Sequence, residues 1–374
     1  MHFIVRTEDI NHAHSMTLKA VSVRPVKQVY EGILIEGDGD GLMLTGTDGD
    51  ITIRVRIPAT IKEDGHILLP GKLFGDLMRY QPQGEVEVKV DESGRARIKS
   101  EGTESNMVSM DDDDYPEIDD IQGGNVVYAA SGKLRDAIGR VMFAVSTDES
   151  RKILTGILTE IYQNEIVLVG LDGFRLAMQT IVQENKLPEK KDKLSCVIPG
   201  RIMNEIKSML PDDDDVDAEL VFSGTRCMFS FGEVRVYASL LTGEFIDYQR
   251  ILPKSWTTQV IAQRGALSNA VDRCSLMARE GKNNLIHFSI KNTGILKMNA
   301  KAEKGDVQDE MSVKFEGNEL DIAFNSKYLL DVIHNVNTDE ICMCFNTNVS
   351  PCLIKPIEGH AYTFLLLPVR IFGR

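Results

Sequence analysis

Nowhere in this sequence do apolar residues run on for the ~18 positions that a membrane-crossing helix needs. Its start, Met1-His2-Phe3-Ile4-Val5-Arg6, lacks the basic-then-apolar layout of a secretory signal, and a cytoplasmic protein is expected. Cysteine is sparse: Cys196, Cys227, Cys274, Cys342, Cys344 and Cys352 have no framework spacing, which argues against a disulfide scaffold and suits buried free thiols. The seven histidines show no paired-ligand spacing, and there is neither a phosphate-cradling glycine loop nor a serine in a nucleophile elbow. No active site, metal or cofactor is therefore expected. With 374 residues, 43% of them hydrophobic, the chain is long enough for two or three separate cores.

What the sequence does contain is a threefold repetition. Leu68-Leu69-Pro70-Gly71-Lys72-Leu73 returns as Val197-Ile198-Pro199-Gly200-Arg201-Ile202 and again, with Pro-Gly replaced, as Ala323-Phe324-Asn325-Ser326-Lys327-Tyr328. Upstream, Leu44-Thr45-Gly46-Thr47-Asp48-Gly49 recurs as Leu168-Val169-Gly170-Leu171-Asp172-Gly173. Such a period exceeds the ~20–50 residues of solenoid repeats and fits whole domains. The boundaries are set at 1–122, 123–252 and 253–374, where acidic runs and Gly-Gly or Pro break the pattern. Each repeat shows short alternating strands, such as Ile51, Ile53, Val55 and Ile57, and two amphipathic helices. The expected class is α+β, each domain packing two helices on antiparallel sheets. Helices are predicted at 8–20, 70–79, 131–143, 199–210, 263–279 and 325–336.

A net charge of −14 argues against nucleic acid until its distribution is considered. The six helices hold twelve Lys/Arg and seven Asp/Glu, so they carry +5 while the rest of the chain carries the acidity. A helix-lined surface facing a polyanion would produce this partition.

The obvious metal candidates are weak. Asp111–Asp114 and Asp212–Asp215 read as solvated turns, since four consecutive carboxylates diverge and neither run has calcium-loop spacing. Cys342-Met343-Cys344 with Cys352 and His360 makes a poor zinc pattern, and a strand in the core is the better reading. The strongly apolar C-terminal run Leu365-Leu366-Leu367-Pro368-Val369 suggests a docked strand whose outer side chains line a groove.

Four motifs in order across the repeats carry a resemblance. They are Phe143 to Arg151, the Asp172-Gly173-x-Arg175-Leu176 turn, Phe245-x-Asp247-Tyr248-x-Arg250-Ile251-Leu252-Pro253, and Leu367-Pro368-Val369-Arg370. Together they resemble the bacterial DNA polymerase III beta subunit family, the sliding clamps, over the whole chain. The resemblance implies three clamp domains per chain, closing as a head-to-tail homodimer into a six-domain ring around double-stranded DNA. It implies no catalysis. The implied partners are the replicative polymerase, the clamp loader and other proteins that carry a Gln- and Leu/Phe-containing peptide.

Carried onto matching positions, the peptide cleft would use Leu154, Leu171, Gly173, Arg175, Leu176, Ile246, Arg250, Ile251, Leu365, Leu367, Pro368, Val369 and Arg370. DNA-facing candidates on or near the helices are Arg24, Lys72, Arg79, Lys133, Arg135, Arg140, Arg201, Lys207, Arg264, Arg273, Arg279 and Lys327. For the ring seam the resemblance suggests strand 103–110 against 296–302, with Met107, Leu276 and Met277 as apolar support. Leu171, Phe174 and Ile246 depart from the family's common Thr, His and Pro, and Phe372-Gly373-Arg374 extends past many relatives. The competing readings are a metal-dependent nucleic-acid-processing enzyme with an inter-domain acidic site, and a ring scaffold with no DNA role.

Overall fold

The computed structural model describes residues 1–22, 25–185, 187 and 192–370. Two compact units emerge, one built from 1–135 with 205–240 and the other from 136–204 with 241–374. Neither coincides with a repeat, because sheets run from one repeat into the next.

In the first unit an eight-stranded antiparallel sheet has the order Asn125–Ala130, Asp217–Ser223, Arg226–Phe231, Val234–Ser239, Ile51–Pro58, Gly41–Thr47, Gly32–Asp38 and His66–Pro70. Its seam joins repeat two to repeat one, with Val236 opposite Ile53. The alternation Ile51, Ile53, Val55, Ile57 buries all four side chains. A five-stranded sheet, ordered Thr60–Glu63, His2–Arg6, Glu85–Val90, Arg95–Ser100 and Thr103–Val108, completes this unit. Helices α1 (Thr7–Thr17) and α2 (Gly71–Arg79) pack beside each other, burying Ile10, Ala13, Phe74 and Met78.

In the second unit a nine-stranded sheet has the order Lys193–Pro199, Gly156–Tyr162, Glu165–Leu171, Arg175–Val182, Tyr362–Leu366, Cys352–Lys355, Glu340–Phe345, Thr258–Gln263 and Lys314–Gly317. Here repeat three joins repeat two through Leu176 opposite Leu365. A four-stranded sheet completes it, ordered Gly305–Ser312, Ile295–Ala302, Leu285–Ile290 and Leu320–Asn325. Helices α3 (Ser131–Met142) and α4 (Gly200–Met209) cross the division between the units, while α5 (Arg264–Glu280) and α6 (Ser326–Asn335) lie in the second.

The repeated glycines have a shared cause. A Cβ on Gly46 would meet the Thr17 carbonyl oxygen at 2.4 Å, and one on Gly170 would meet that of Val141 at 2.6 Å. Three residues on, Gly49 and Gly173 both turn the chain at φ +95°. The repeat thus preserves a strand pressed under the end of a helix, with a left-handed turn after it.

Candidate functional site

The centre of the site is an apolar cluster on one face of the nine-stranded sheet. Leu154, Leu158, Val167, Val169, Leu171, Leu176, Val197, Tyr248, Cys342, Cys344, Leu353 and Leu365 are all buried there, with Ile153, Phe245, Ile251 and Leu252 packed against its margin. Burial of each large aliphatic side chain contributes ~1.5–3 kcal/mol. Phe174, Ile246 and Leu367 remain 55%, 42% and 36% exposed, so apolar surface does reach solvent in this unit.

The turn at residues 172–175 is held by its own aspartate. Asp172 Oδ1 accepts the backbone N–H of Phe174 (2.8 Å) and of Arg175 (2.9 Å), while Gly173 supplies the positive φ. Arg175 then leaves the turn inward. Its Nε donates to Asp172 Oδ2 at 3.0 Å, its Nη1 donates to Asp331 on α6, and its guanidinium lies 4.5 Å from the Tyr328 ring centroid and 5.3 Å from that of Phe143. With only 10% of its side chain exposed, Arg175 is a staple of the wall and not an open donor for a ligand. Phe174 stacks on the same Tyr328 at 5.7 Å, leaving more than half of its surface open. The Phe174 carbonyl accepts the Leu367 N–H at 2.9 Å, and Ala323 O accepts the Val369 N–H at 2.8 Å, so the C-terminal run is laid across this wall.

Segment 245–253 closes another side. Tyr248, 4% exposed, donates its hydroxyl to Glu160 Oε2 at 2.7 Å. Glu160 also accepts from the Tyr162 hydroxyl at 3.0 Å and from Lys193 Nζ. Burial alone would raise this carboxyl, yet the three donors hold it below the usual carboxylate range. Burial and the neighbouring Glu160 carboxylate in turn push the Tyr248 phenol up.

Most of the expected cleft residues converge. Leu154, Leu171, Leu176 and Leu365 form the floor, Ile251 its margin, and Gly173, Leu367, Pro368 and Val369 belong to the turn and the run laid beside it. Arg250, in the short turn that ends at Ile251, projects into solvent with its side chain 87% exposed and paired with Asp247 at 2.7 Å, and Arg370 is exposed. Sequence reasoning missed Tyr328, Asp331 and Glu160. Tyr328 had a signal, since it sits in the third copy of the repeated motif.

The DNA-facing candidates divide by pairing. Arg79, Arg135, Arg140 and Arg273 are each tied to a carboxylate, at 3.5 Å to Asp76, 2.6 Å to Asp212, 2.8 Å to Asp136 and 2.5 Å to Asp309. Arg264 donates to the Thr338 carbonyl at 3.0 Å. Lys72, Lys133, Lys207, Arg279 and Lys327 form no ion pair among the described residues, and Arg201 is exposed. Arg24 and Phe372-Gly373-Arg374 lie outside the described residues.

Two expectations for the seam are corrected. Strand Ile295–Ala302 is hydrogen-bonded on both sides, so it offers no free edge; the edge of its sheet is Gly305–Ser312. Met107 is 6% exposed because it faces its own sheet's core, whereas Val108 beside it is 63% exposed. Leu276, at 67%, is an exposed apolar residue on α5, and Met277 is half-buried, its terminal methyl near Gly305.

The acidic run also differs from expectation in one respect. Carboxylates of Asp111, Asp112 and Asp113 come within 4.8 Å of one another. They nevertheless belong to one exposed turn in which Asp112 pairs with His66 at 2.9 Å and Asp111 accepts the Asp113 N–H at 3.1 Å. Apart from His66, no further histidine, cysteine or carboxylate joins them from a separate strand among the described residues, as hydrolytic metal chemistry would need. Cys342 and Cys344 lie side by side with sulfurs 3.8 Å apart; that contact and burial push the Cys344 thiol up. His360 points elsewhere, 70% exposed and near Glu165.

Antiparallel sheets fused across three sequence repeats, with helix pairs and a cleft-like apolar site where two repeats meet in one sheet, define a clamp-type architecture. Comparison with known proteins agrees throughout. The DNA polymerase III beta subunit N-terminal, central and C-terminal domain models match residues 1–119, 129–247 and 249–370. The beta sliding clamp of Staphylococcus epidermidis is 30% identical over 381 residues, covering all of both chains. Among solved structures, the Bacillus subtilis DNA polymerase sliding clamp superposes with a TM-score of 0.95 at 30% identity and full coverage of both chains. The Thermotoga maritima DNA polymerase III beta subunit gives 0.91 at 26% identity, covering 99% of this chain and 100% of that one. The chain belongs to the bacterial DNA polymerase III beta subunit family, the beta sliding clamps, which are non-catalytic processivity subunits.

Proposed function

We propose that the protein, a DNA sliding clamp, encircles duplex DNA as a head-to-tail homodimer of three-domain chains, with domains at 1–122, 123–252 and 253–374. The replicative polymerase, the clamp loader and other partners would be tethered through a short Gln- and Leu/Phe-containing peptide. The apolar cluster with its partly exposed rim at Phe174, Ile246 and Leu367 is the observation that carries the peptide reading. Aliphatic and aromatic anchors entering such a floor dominate this kind of interface. Arg175 acts by holding the Phe174–Tyr328 wall, so the polar part of the peptide is met by backbone and by exposed rim groups such as Arg250.

Contacts with DNA are sequence-independent and modest, which suits sliding, since tight phosphate contacts would hold the ring in place. Lys72, Lys133, Lys207, Arg279 and Lys327, which form no ion pair among the described residues, are the cations this reading assigns to the phosphates. The seam would pair the free edge Thr103–Val108 of one protomer with Gly305–Ser312 of its partner. A cytoplasmic setting fits this role, and no described helix is long and apolar enough to cross a membrane.

Two measurements test the reading. A labelled Gln-x-x-Leu-Phe peptide is expected to bind saturably in the micromolar range by fluorescence polarisation. Clamp loaded onto DNA is expected to be retained on closed circles and lost from linear duplex; equal retention on both would contradict encirclement.

A further inference from the structure

Glu160 is an oddity in its surroundings. It alternates with Leu158 and Tyr162 on the face of strand Gly156–Tyr162 that carries the apolar cluster, and only 4% of its side chain is exposed. A buried carboxylate there is costly, and an apolar side chain of similar size would pack at least as well. What the carboxylate adds is direction. Lys193 and Tyr162 keep it ionised, and the anion then receives the Tyr248 hydroxyl in a charge-assisted bond of 2.7 Å.

Tyr248 is the one point at which its segment is tied down by polar contact. Leu241 N–H donates to Val197 O, and the next backbone bond back to a sheet comes from Thr257 to Phe345 O. From 242 to 254, among the described residues, the Tyr248–Glu160 bond is the only hydrogen bond that leaves the segment. Inside it, the Tyr248 carbonyl accepts the N–H groups of Ile251 (3.0 Å) and Leu252 (3.3 Å), and Asp247 O accepts that of Arg250 (3.3 Å). The short turn that carries Arg250 and Ile251 is therefore built upon Tyr248, and Ile246 lies two residues before it.

We propose that Glu160 and Tyr248 are positioning residues for the partner cleft. The buried carboxylate fixes the Tyr248 phenol, and through it sets where Ile246, Arg250 and Ile251 stand at the cleft margin. This rests on the peptide reading of the cleft, and adds to it the two groups that determine the geometry of one wall.

The test uses the full-length protein and a fluorescein-labelled pentapeptide of sequence Gln-Ser-Ala-Leu-Phe, with amide hydrogen exchange read in parallel. Tyr248→Phe keeps the packed ring and removes only the hydroxyl. It is expected to weaken the peptide about five- to tenfold and to speed exchange at residues 249–252 while leaving the sheet amides protected. Glu160→Gln, which retains an acceptor without the charge, is expected to fall between wild type and Tyr248→Phe. Lys193→Ala and Tyr162→Phe each remove one donor that keeps Glu160 ionised while leaving the Tyr248 hydroxyl bond in place, and are expected to weaken the peptide less than Tyr248→Phe does. Unchanged affinity and exchange in Tyr248→Phe would overturn the proposal. So would equal weakening in Lys193→Ala, which would assign the effect to general stability. If the wild type fails to bind the peptide, the cleft reading falls, and the exchange at 249–252 alone decides the tether.

Discussion

His14 lies between α1 and α2, its Nε2 2.7 Å from the Gly71 carbonyl oxygen and its ring edge-on to Phe74 at 5.8 Å. The neutral ring donates from Nε2 to that carbonyl. Burial is the main reason its pKa is lowered from 6.5, with Arg79 adding to the effect and the Gly71 bond and Asp76 opposing it. A histidine that is harder to protonate when folded leaves the unfolded chain binding more protons below pH ~6.5. Its contribution is therefore present above that pH and lost as pH falls through the depressed folded value. Thermal midpoints measured from pH 7.5 down to 5.5 are expected to fall in the wild type and to fall less in His14→Gln. Gly75 explains why the ring fits, since a Cβ there would stand 1.9 Å from the His14 Cε1. Gly75→Ala is expected to cost about 1–3 kcal/mol in urea unfolding. Arg175→Ala is expected to weaken peptide binding while leaving the oligomer unchanged, because it frees the Phe174–Tyr328 stack without touching a sheet edge; dissociation into monomers would refute that. At this scale the sequence was a good guide to local motifs and a poor one to distant partners. Asp172 and Arg175 are close in the chain, whereas the Asp331 that completes their network is 156 residues from Arg175, and no spacing rule reaches so far.

Elements were the most legible scale. The expected helix at 263–279 is Arg264–Glu280, that at 70–79 is Gly71–Arg79, and that at 325–336 is Ser326–Asn335. Their apolar stripes are strong because each buries one face on a sheet. Strand Gly305–Ser312 was overlooked for the opposite reason. Its residues alternate between half-buried and exposed, and its sequence, GDVQDEMS, carries little apolar signal. That omission turned its neighbour into an apparent edge. The repeated glycines give the elements their own test. Gly170→Ala would press a methyl within 2.6 Å of the Val141 carbonyl, and a loss of about 1–3 kcal/mol in urea unfolding is expected. Truncation of the chain after Leu366 takes away two tail-to-wall backbone bonds and the exposed Leu367, so peptide binding is expected to be lost with the dimer retained.

For the whole molecule, the question is what a chain of net charge −14 does with two of its sheet edges, Thr103–Val108 and Gly305–Ser312. An open edge invites further strands, and each of these two is either blunted or used on a partner strand. Blunting is incomplete: Thr103–Val108 offers a 63% exposed Val108, and Leu276 on the second unit's α5 is 67% exposed. These apolar groups favour an edge-to-edge contact between two copies; joining edges of different kinds makes the contact heterologous, and in the proposed ring it closes after two copies. Proline scanning can distinguish this from a merely exposed edge. Adjacent residues of a strand direct their N–H groups to opposite sides, so of Val307→Pro and Gln308→Pro one removes an outward amide and the other an inward one. The inward change is expected to damage the four-stranded sheet and lower thermal stability. The outward change is expected to leave stability within ~1 kcal/mol yet shift sedimentation from dimer toward monomer at micromolar concentration. It should also abolish retention on closed circular DNA while leaving the peptide cleft at wild-type affinity. A dimer that survives both substitutions would place the seam elsewhere and leave the cleft, which lies in one unit of one chain, untouched by the correction.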